Sequence, residues 1–209
     1  MASKLPPDWA ATGFASGTFV QTARGLRPVE RLVPGEDMLE GRDGSEIALL
    51  DVMTTRFTAS ALKRKKARQP VLIPALSLGA AVPARPLLVS QDMRIHAKGR
   101  LVNRVTETPE VLLPVSALIG TYGIELTVPD GGVTYHHLIC EGHHLLKVEG
   151  LMCETLYAGE DADEALRTRA GRTHLEPALP RISLEMADRL TSKLARKNRP
   201  PLPEEEEAE

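Results

Sequence analysis

The sequence predicts an all-β domain followed by a short helical extension. Of its 209 residues, 42% are hydrophobic and only 3% are aromatic, while glycine and proline occur 16 times each. Short apolar runs alternate with turn signals, as at residues 33–36 and 42–44, and this close spacing favours short strands over long helices. The amount of apolar material suffices for one buried domain with tails.

Nine segments are rich in β-branched residues or leucine, are bounded by turn residues, and are predicted as strands. They are residues 18–20, 46–52, 71–74, 86–90, 101–105, 111–114, 122–128, 133–140 and 144–149. The Pro-Asp-Gly-Gly sequence at residues 129–132 predicts a hairpin between its flanking strands, because glycine supplies the positive φ of tight turns. Residues 62–68 carry five basic side chains and are predicted as an exposed loop or strand edge, since like charges repel unless they are solvated or paired.

The composition changes after Gly159, where apolar residues adopt helical spacing. Residues 162–170 and 183–195 are predicted helices, and Ser183 is the expected N-cap of the second. One side of that second helix carries its apolar residues, Leu184, Ala187, Leu190 and Leu194. The acidic end, which contains proline, is expected to be disordered. The predicted organisation is a leader, a β-domain, a helical extension and a tail, at residues 1–12, 13–157, 158–199 and 200–209.

Charge and cysteine content narrow the functional classes. A net charge of −2 and a pI near 6.3 give no overall basic field, so nucleic acid is not expected as the main partner. The two cysteines, Cys140 and Cys153, form no CxxC pair, so no disulfide framework is implied. Because no apolar run approaches about 18 residues, no membrane span is expected. A cytoplasmic location is the expectation.

Three segments, in order along the chain, resemble the bacterial Hint domain of the Hedgehog/intein type. They are GFASGTFVQTARGLRPVERLVPGEDML at residues 13–39, LLVSQDMRI at 87–95, and VTYHHLICEGHHLLKVEGLMCETL at 133–156. The ordered match of three segments is much more specific than any one of them. The resemblance implies a horseshoe-like fold of short strands and a relation to self-cleaving and protein-splicing domains.

Two departures from the family pattern bear on activity. In active members the first cysteine attacks the carbonyl of the preceding residue, and a histidine in the middle segment assists departure of the amide nitrogen. Gly13 stands at the cysteine position and Met93 at the histidine position. The resemblance therefore implies a domain without self-cleavage, which acts as a binding or interaction module for its own leader or for another extended peptide.

Several residues remain candidates for residual chemistry. Thr12 and Ser16 flank the lost position, and either hydroxyl could attack its own preceding carbonyl if a base were near. By the resemblance, Ser90 and Asp92 lie beside the old site, and His143 falls on the family's late histidine. The alternative function is thus an autoproteolytic domain with a shifted hydroxyl nucleophile and His143 or His137 as base.

A cluster of histidines and cysteines near the end of the β-domain suggests a second alternative. His136, Cys140 and His143 could bind zinc, which accepts imidazole and thiolate ligands. Alternation along a strand would place His136 and Cys140 on one face and His137 on the other. The spacing matches no established zinc pattern, and the competing interpretation is that these histidines satisfy polar groups within a β-domain. No other cofactor is expected.

Overall fold

The computed structural model describes residues 12–157, 176–197 and 199–202. Within them, thirteen strands, three α-helices and three short 3-10 turns account for the regular structure. The strands are β1 (Phe14–Ala15), β2 (Phe19–Thr22), β3 (Gly25–Pro28), β4 (Met38–Glu40), β5 (Glu46–Phe57), β6 (Val71–Ile73), β7 (Leu87–Val89), β8 (Arg94–Lys98), β9 (Glu110–Pro114), β10 (Glu125–Leu126), β11 (Val133–Cys140), β12 (Leu145–Val148) and β13 (Leu151–Glu154). The predicted all-β class is confirmed.

Antiparallel pairing joins the strands in the order β10-β6-β7-β1-β11-β5-β4-β2-β12-β13-β8-β9, and β3 pairs with β2. The long strand β5 links the two halves, because its first residues pair with β4 while the rest pair with β11. The short β1 lies between β7 and β11. The N-terminal edge of the domain is therefore inserted into the middle of the sheet.

The helices are α1 (Ala59–Arg64), α2 (Arg100–Thr106) and α3 (Leu184–Arg196), and the 3-10 turns are Val29–Arg31, Lys66–Arg68 and Val115–Leu118. Helix α3 confirms the predicted C-terminal helix, and the Ser183 hydroxyl accepts a hydrogen bond from the Met186 N–H at 3.2 Å. Ala187, Leu190 and Leu194 are buried in the same core as the strands, whereas Leu184 is exposed. The helical extension therefore packs onto the β-domain.

Two segments predicted without helix are helical. Residues 101–105, predicted as a strand, form most of α2, because Val102 and Val105 are spaced for one helical face and are buried there. The basic segment 62–68, predicted as a loop or strand edge, begins inside α1 and ends in a 3-10 turn. Thr58 caps α1 by accepting from the Ala61 N–H, and Leu62 anchors the helix in the core while the charges face outward.

The hairpin predicted around residues 129–132 is also wrong. The turn itself forms, with a hydrogen bond from the Gly132 N–H to the Pro129 carbonyl at 2.9 Å and a φ of +76° at Gly132. The flanking strands do not pair, since β10 pairs with β6, and β11 pairs with β5 and β1. The longer partner β5 offers β11 far more backbone hydrogen bonds than the two-residue β10 could.

The remaining sequence predictions concern chain ends. Residues 162–170, a predicted helix, lie outside the described residues. In the predicted tail, Leu202 is buried and its N–H donates to the Leu78 carbonyl at 3.1 Å, so this part of the chain is docked. Among the described helices, none is long and apolar enough to cross a membrane.

Asp37 fixes the turns on either side of β3. Its fully buried carboxylate accepts from Arg27 at 2.7 Å, from Arg24 at 3.1 Å and from the Val33 N–H at 2.8 Å. Burial alone would raise the pKa of Asp37, but the Val33 hydrogen bond and the attraction of Arg27 outweigh it and hold the pKa below its usual value.

We expect Asp37→Asn to lower the free energy of unfolding at pH 7 by about 1–3 kcal/mol, since charge-assisted hydrogen bonds to a buried group are lost. A carboxylate with a lowered folded-state pKa stabilises the protein above its unfolded pKa of about 3.9, and loses this effect as the pH falls through the folded value. Denaturant unfolding at pH 7 and pH 3 measures the difference between variant and parent. An equal difference at both pH values would contradict this account.

Candidate functional site

The segment from Thr12 to Ser16 runs as an extended chain through the middle of the sheet. Phe14 lies opposite Val89 of β7 on one side and opposite His136 of β11 on the other. The Ser16 N–H donates to the Thr134 carbonyl at 3.0 Å. Pairing on both sides fixes where the first peptide bonds of the domain lie.

The Thr12–Gly13 peptide bond is held from both sides. Its N–H, on Gly13, donates to the Ser90 Oγ at 3.0 Å, and its carbonyl, on Thr12, accepts from the His137 Nδ1 at 2.7 Å. The Ser90 N–H also donates to the Gly13 carbonyl at 2.9 Å. This is the bond that a nucleophile at position 13 would attack, and Ser90 lies beside it.

Hydrogen bonding defines the tautomer of His137. Because a carbonyl oxygen only accepts, the proton is on Nδ1, and Nε2 accepts from the Thr55 hydroxyl at 3.1 Å. Burial lowers the pKa of His137 to about 4, against the smaller raising effect of the bond to Thr12. At neutral pH the ring is uncharged, and it polarises the Thr12 carbonyl as a neutral donor.

No space for a side chain exists at Gly13. A Cβ there would lie 2.9 Å from the His137 Cε1 and 3.0 Å from the Tyr135 Cβ. Both distances are shorter than ordinary carbon contacts, and neither neighbour is the free end of a flexible chain. Glycine is therefore required by the close approach of the imidazole, and that ring lies where a nucleophilic side chain would begin.

The other two residues of the middle segment contribute differently. Met93 is fully buried among apolar side chains, and its thioether offers no proton to a leaving group. Asp92 keeps an exposed side chain, although desolvation by its surroundings raises its pKa despite the nearby Arg94 and Arg181. Among the described residues, no hydrogen bond joins the Asp92 carboxylate to the Thr12–Gly13 peptide.

The two candidate hydroxyls have unlike surroundings. The exposed Ser16 Oγ lies 2.9 Å from the Nε2 of His136, which is buried. Burial lowers the pKa of His136 against the attraction of Glu30, so a neutral imidazole faces the Ser16 hydroxyl. The Thr12 Oγ1 is buried and has no hydrogen-bond partner within the described chain. Of the two, only Ser16 has a base in reach.

His143 belongs to a separate buried cluster. Its Nε2 lies 3.2 Å from a carboxylate oxygen of the fully buried Glu154, and its Nδ1 accepts from the Ala178 N–H at 3.0 Å. Its ring lies 5.0 Å from that of Tyr157, and Arg181 approaches the same Glu154 oxygen at 3.5 Å. These contacts tie His143 to the segment before α3 and give it no part in holding the Thr12–Gly13 peptide.

The structure does not assemble the predicted metal ligands. Across the residues it describes, there is no group of three or more His, Cys, Asp or Glu side chains that could hold a metal ion. His136 faces Ser16 and His143 faces Glu154. Burial raises the pKa of the Cys140 thiol to about 12, which disfavours the thiolate that zinc requires.

These features define an all-β domain that holds the peptide bond entering its own first strand. The sequence profile of the Hint domain family matches residues 12–160, and the chain belongs to this family. By sequence, no curated protein matches it significantly.

Three solved structures illustrate the similarity of fold. An intein-like domain from Clostridium thermocellum is 12% identical with a TM-score of 0.45, covering 68% of this chain and 97% of that domain. The gp41-1 intein is 13% identical with a TM-score of 0.44, covering 68% and 96%. The MchDnaB-1 intein is 12% identical with a TM-score of 0.41, covering 68% and 98%.

Proposed function

We propose that this Hint domain does not cleave its own backbone and acts as a binding module for an extended peptide segment. The segment is held between β7 and β11, and in this structure it is the domain's own chain from Thr12. The single observation that carries the proposal is the Thr12–Gly13 peptide. Ser90 and His137 bind it, while His137 and Tyr135 fill the space beside Gly13.

The chemistry of acyl transfer supports the absence of cleavage. His137 still polarises the Thr12 carbonyl, as electrostatic stabilisation of a developing oxyanion would require. However, Gly13 supplies no attacking atom, and Met93 supplies no proton for the amide nitrogen. A general acid alone contributes about 10²–10⁴-fold to such a step. Polarisation without a nucleophile or an acid holds the bond and does not break it.

The pairing of β1 supports the binding role. An extended segment that adds to two exposed strand edges gains backbone hydrogen bonds on both sides, while its side chains fill pockets. Phe14 provides such an anchor, since it is buried to 1% exposure. The groove between β7 and β11 thus recognises main chain chiefly through its amides, together with one large apolar side chain.

A second candidate function is supported by the pair of Ser16 and His136. His136 could take the proton of the Ser16 hydroxyl, and the Oγ could attack the Ala15 carbonyl, which already accepts from the Thr18 N–H at 3.2 Å. The amide nitrogen of Ser16 would take up the proton, and an ester would replace the Ala15–Ser16 amide. Water or hydroxylamine would then release a fragment that begins at Ser16.

Intact mass separates the two candidates. After prolonged incubation of purified protein with a thiol or with hydroxylamine, we expect only the full-length mass. A fragment that begins at Ser16 and disappears in Ser16→Ala would instead establish self-cleavage and contradict the main proposal.

Amide hydrogen exchange tests how the peptide is held. We expect strong protection of the Gly13 amide, and a loss of about tenfold or more in Ser90→Ala, because one net hydrogen bond contributes roughly 1 kcal/mol or more. The matched control is Ser77→Ala, which removes a hydroxyl that donates to the Pro74 carbonyl outside the groove. Unprotected Gly13 in the parent protein, or equal effects of both variants, would contradict the proposal.

A further inference from the structure

A concave site lined by basic side chains lies between α2 and the end of α3. Its volume is about 200 Å³. Four cationic residues and one apolar residue line it, namely Arg100, Arg104, Lys197, Arg199 and Leu101. Lys98 belongs to a smaller adjoining cavity that shares Arg100 and Arg199. The cations converge on one recess in a chain whose net charge is −2.

The arrangement of these charges is electrostatically unfavourable without an anion. Arg100 and Arg104 are four residues apart on α2, where like charges repel. Arg100 is also in the first turn of α2, the end at which the helix dipole disfavours a cation. Over the described residues, none of the four cationic side chains makes an ion pair with an acidic residue. Helix-dipole compensation explains Lys197, at the C-terminal cap of α3, but does not explain the pair on α2.

We propose that this recess binds a small ligand through one or two phosphate groups. Guanidinium groups present planar pairs of donors that match phosphate oxygens, and two arginines from α2 with one from the end of α3 could surround such a group. A volume of about 200 Å³ is below the usual range for a whole cofactor and suits the anionic part of a ligand. The site is independent of the Thr12–Gly13 groove and of its proposed function.

Binding of inorganic pyrophosphate to the full chain, measured by calorimetry at low ionic strength, tests this site. We expect saturable binding with one site per chain. The variant Arg104→Gln/Arg199→Gln should weaken binding by about tenfold or more, because each lost charge-assisted hydrogen bond contributes at least that factor. The matched control is Arg56→Gln/Lys63→Gln, which removes the same charge from two exposed cations outside the recess and should change binding less than threefold by about the screening expected of distant charges.

Further measurements keep the result interpretable. Thermal unfolding of the recess variant without ligand should be unchanged or raised, since repulsion is relieved, so weaker binding cannot be attributed to loss of the fold. Glutamines at the four positions Glu204 to Glu207 test whether the acidic tail competes for the recess, and binding that becomes tighter in this variant supports an anion site.

Three outcomes would overturn the proposal. The first is the absence of pyrophosphate binding in both the full chain and the variant with the neutralised tail. The second is equal weakening by the recess variant and its control, which would indicate general charge attraction. The third is tighter binding of a single-stranded oligonucleotide than of pyrophosphate, which would assign the surface to a nucleic acid backbone.

Discussion

Replacing Phe14 by alanine is expected to lower the free energy of unfolding by about 3–5 kcal/mol, the range for removing a fully buried aromatic side chain. Phe14 is 1% exposed, belongs to the main apolar core, and sits in the strand that joins β7 to β11. Denaturant unfolding measures the loss. Because Phe14 anchors the segment in its groove, amide exchange at Gly13 and Ser16 should accelerate as well.

Phe19→Ala is the matched control for this substitution. Phe19 lies in the neighbouring strand β2, but it is only half-buried, with its ring beneath the Arg85 guanidinium at 3.8 Å. The same deletion should therefore lower the free energy of unfolding by only about 1–2 kcal/mol and leave the Gly13 amide protected. Equal losses in the two variants would mean that β1 is no better anchored than the surface of the sheet.

The sequence predicted the strands with long apolar runs better than the short elements. Residues 133–140 are β11 as predicted, and 71–74, 86–90 and 111–114 contain β6, β7 and β9. Residues 101–105 failed because a five-residue apolar run fits a buried strand and a buried helix face equally well. The residues of β8 and β13 were not predicted as strands, since pairing with long-range partners, and not their local composition, orders them.

The candidate site was predicted in part. The resemblance placed Ser90 beside the first peptide bond of the domain, and the structure brings it there. His137 was considered only as a base, whereas it donates to the Thr12 carbonyl across a separation of 125 residues. Strand alternation did indicate that His136 and His137 face opposite sides, which is why one meets Ser16 and the other meets Thr12. Which face receives β1 depends on the β1–β11 register, and no local pattern encodes that register.

Restoring the family's cysteine at position 13 is expected to fail for a steric reason. The new Cβ would contact the His137 ring at 2.9 Å, and overpacking of this kind lowers the free energy of unfolding by about 1–3 kcal/mol. To accommodate a thiol, the ring would have to give up its bonds to Thr12 and Thr55, and with them the polarisation of the carbonyl to be attacked. Gly13→Cys with Met93→His should therefore remain full-length in the presence of thiol.

A double-mutant cycle isolates the steric cause from other losses. Gly13→Ala and His137→Ala each destabilise the protein, the first by overlap and the second by loss of hydrogen bonds and packing. If the imidazole is the obstacle, the double variant should be more stable than the sum of the single effects by about 1 kcal/mol or more, because removing the ring makes room for the new methyl group. Additive effects would assign the crowding to Tyr135 alone. Thiol-dependent release of a fragment beginning at position 13, from the variant with Gly13→Cys and Met93→His, would show that the ring yields readily and that only the lost side chains keep this domain silent.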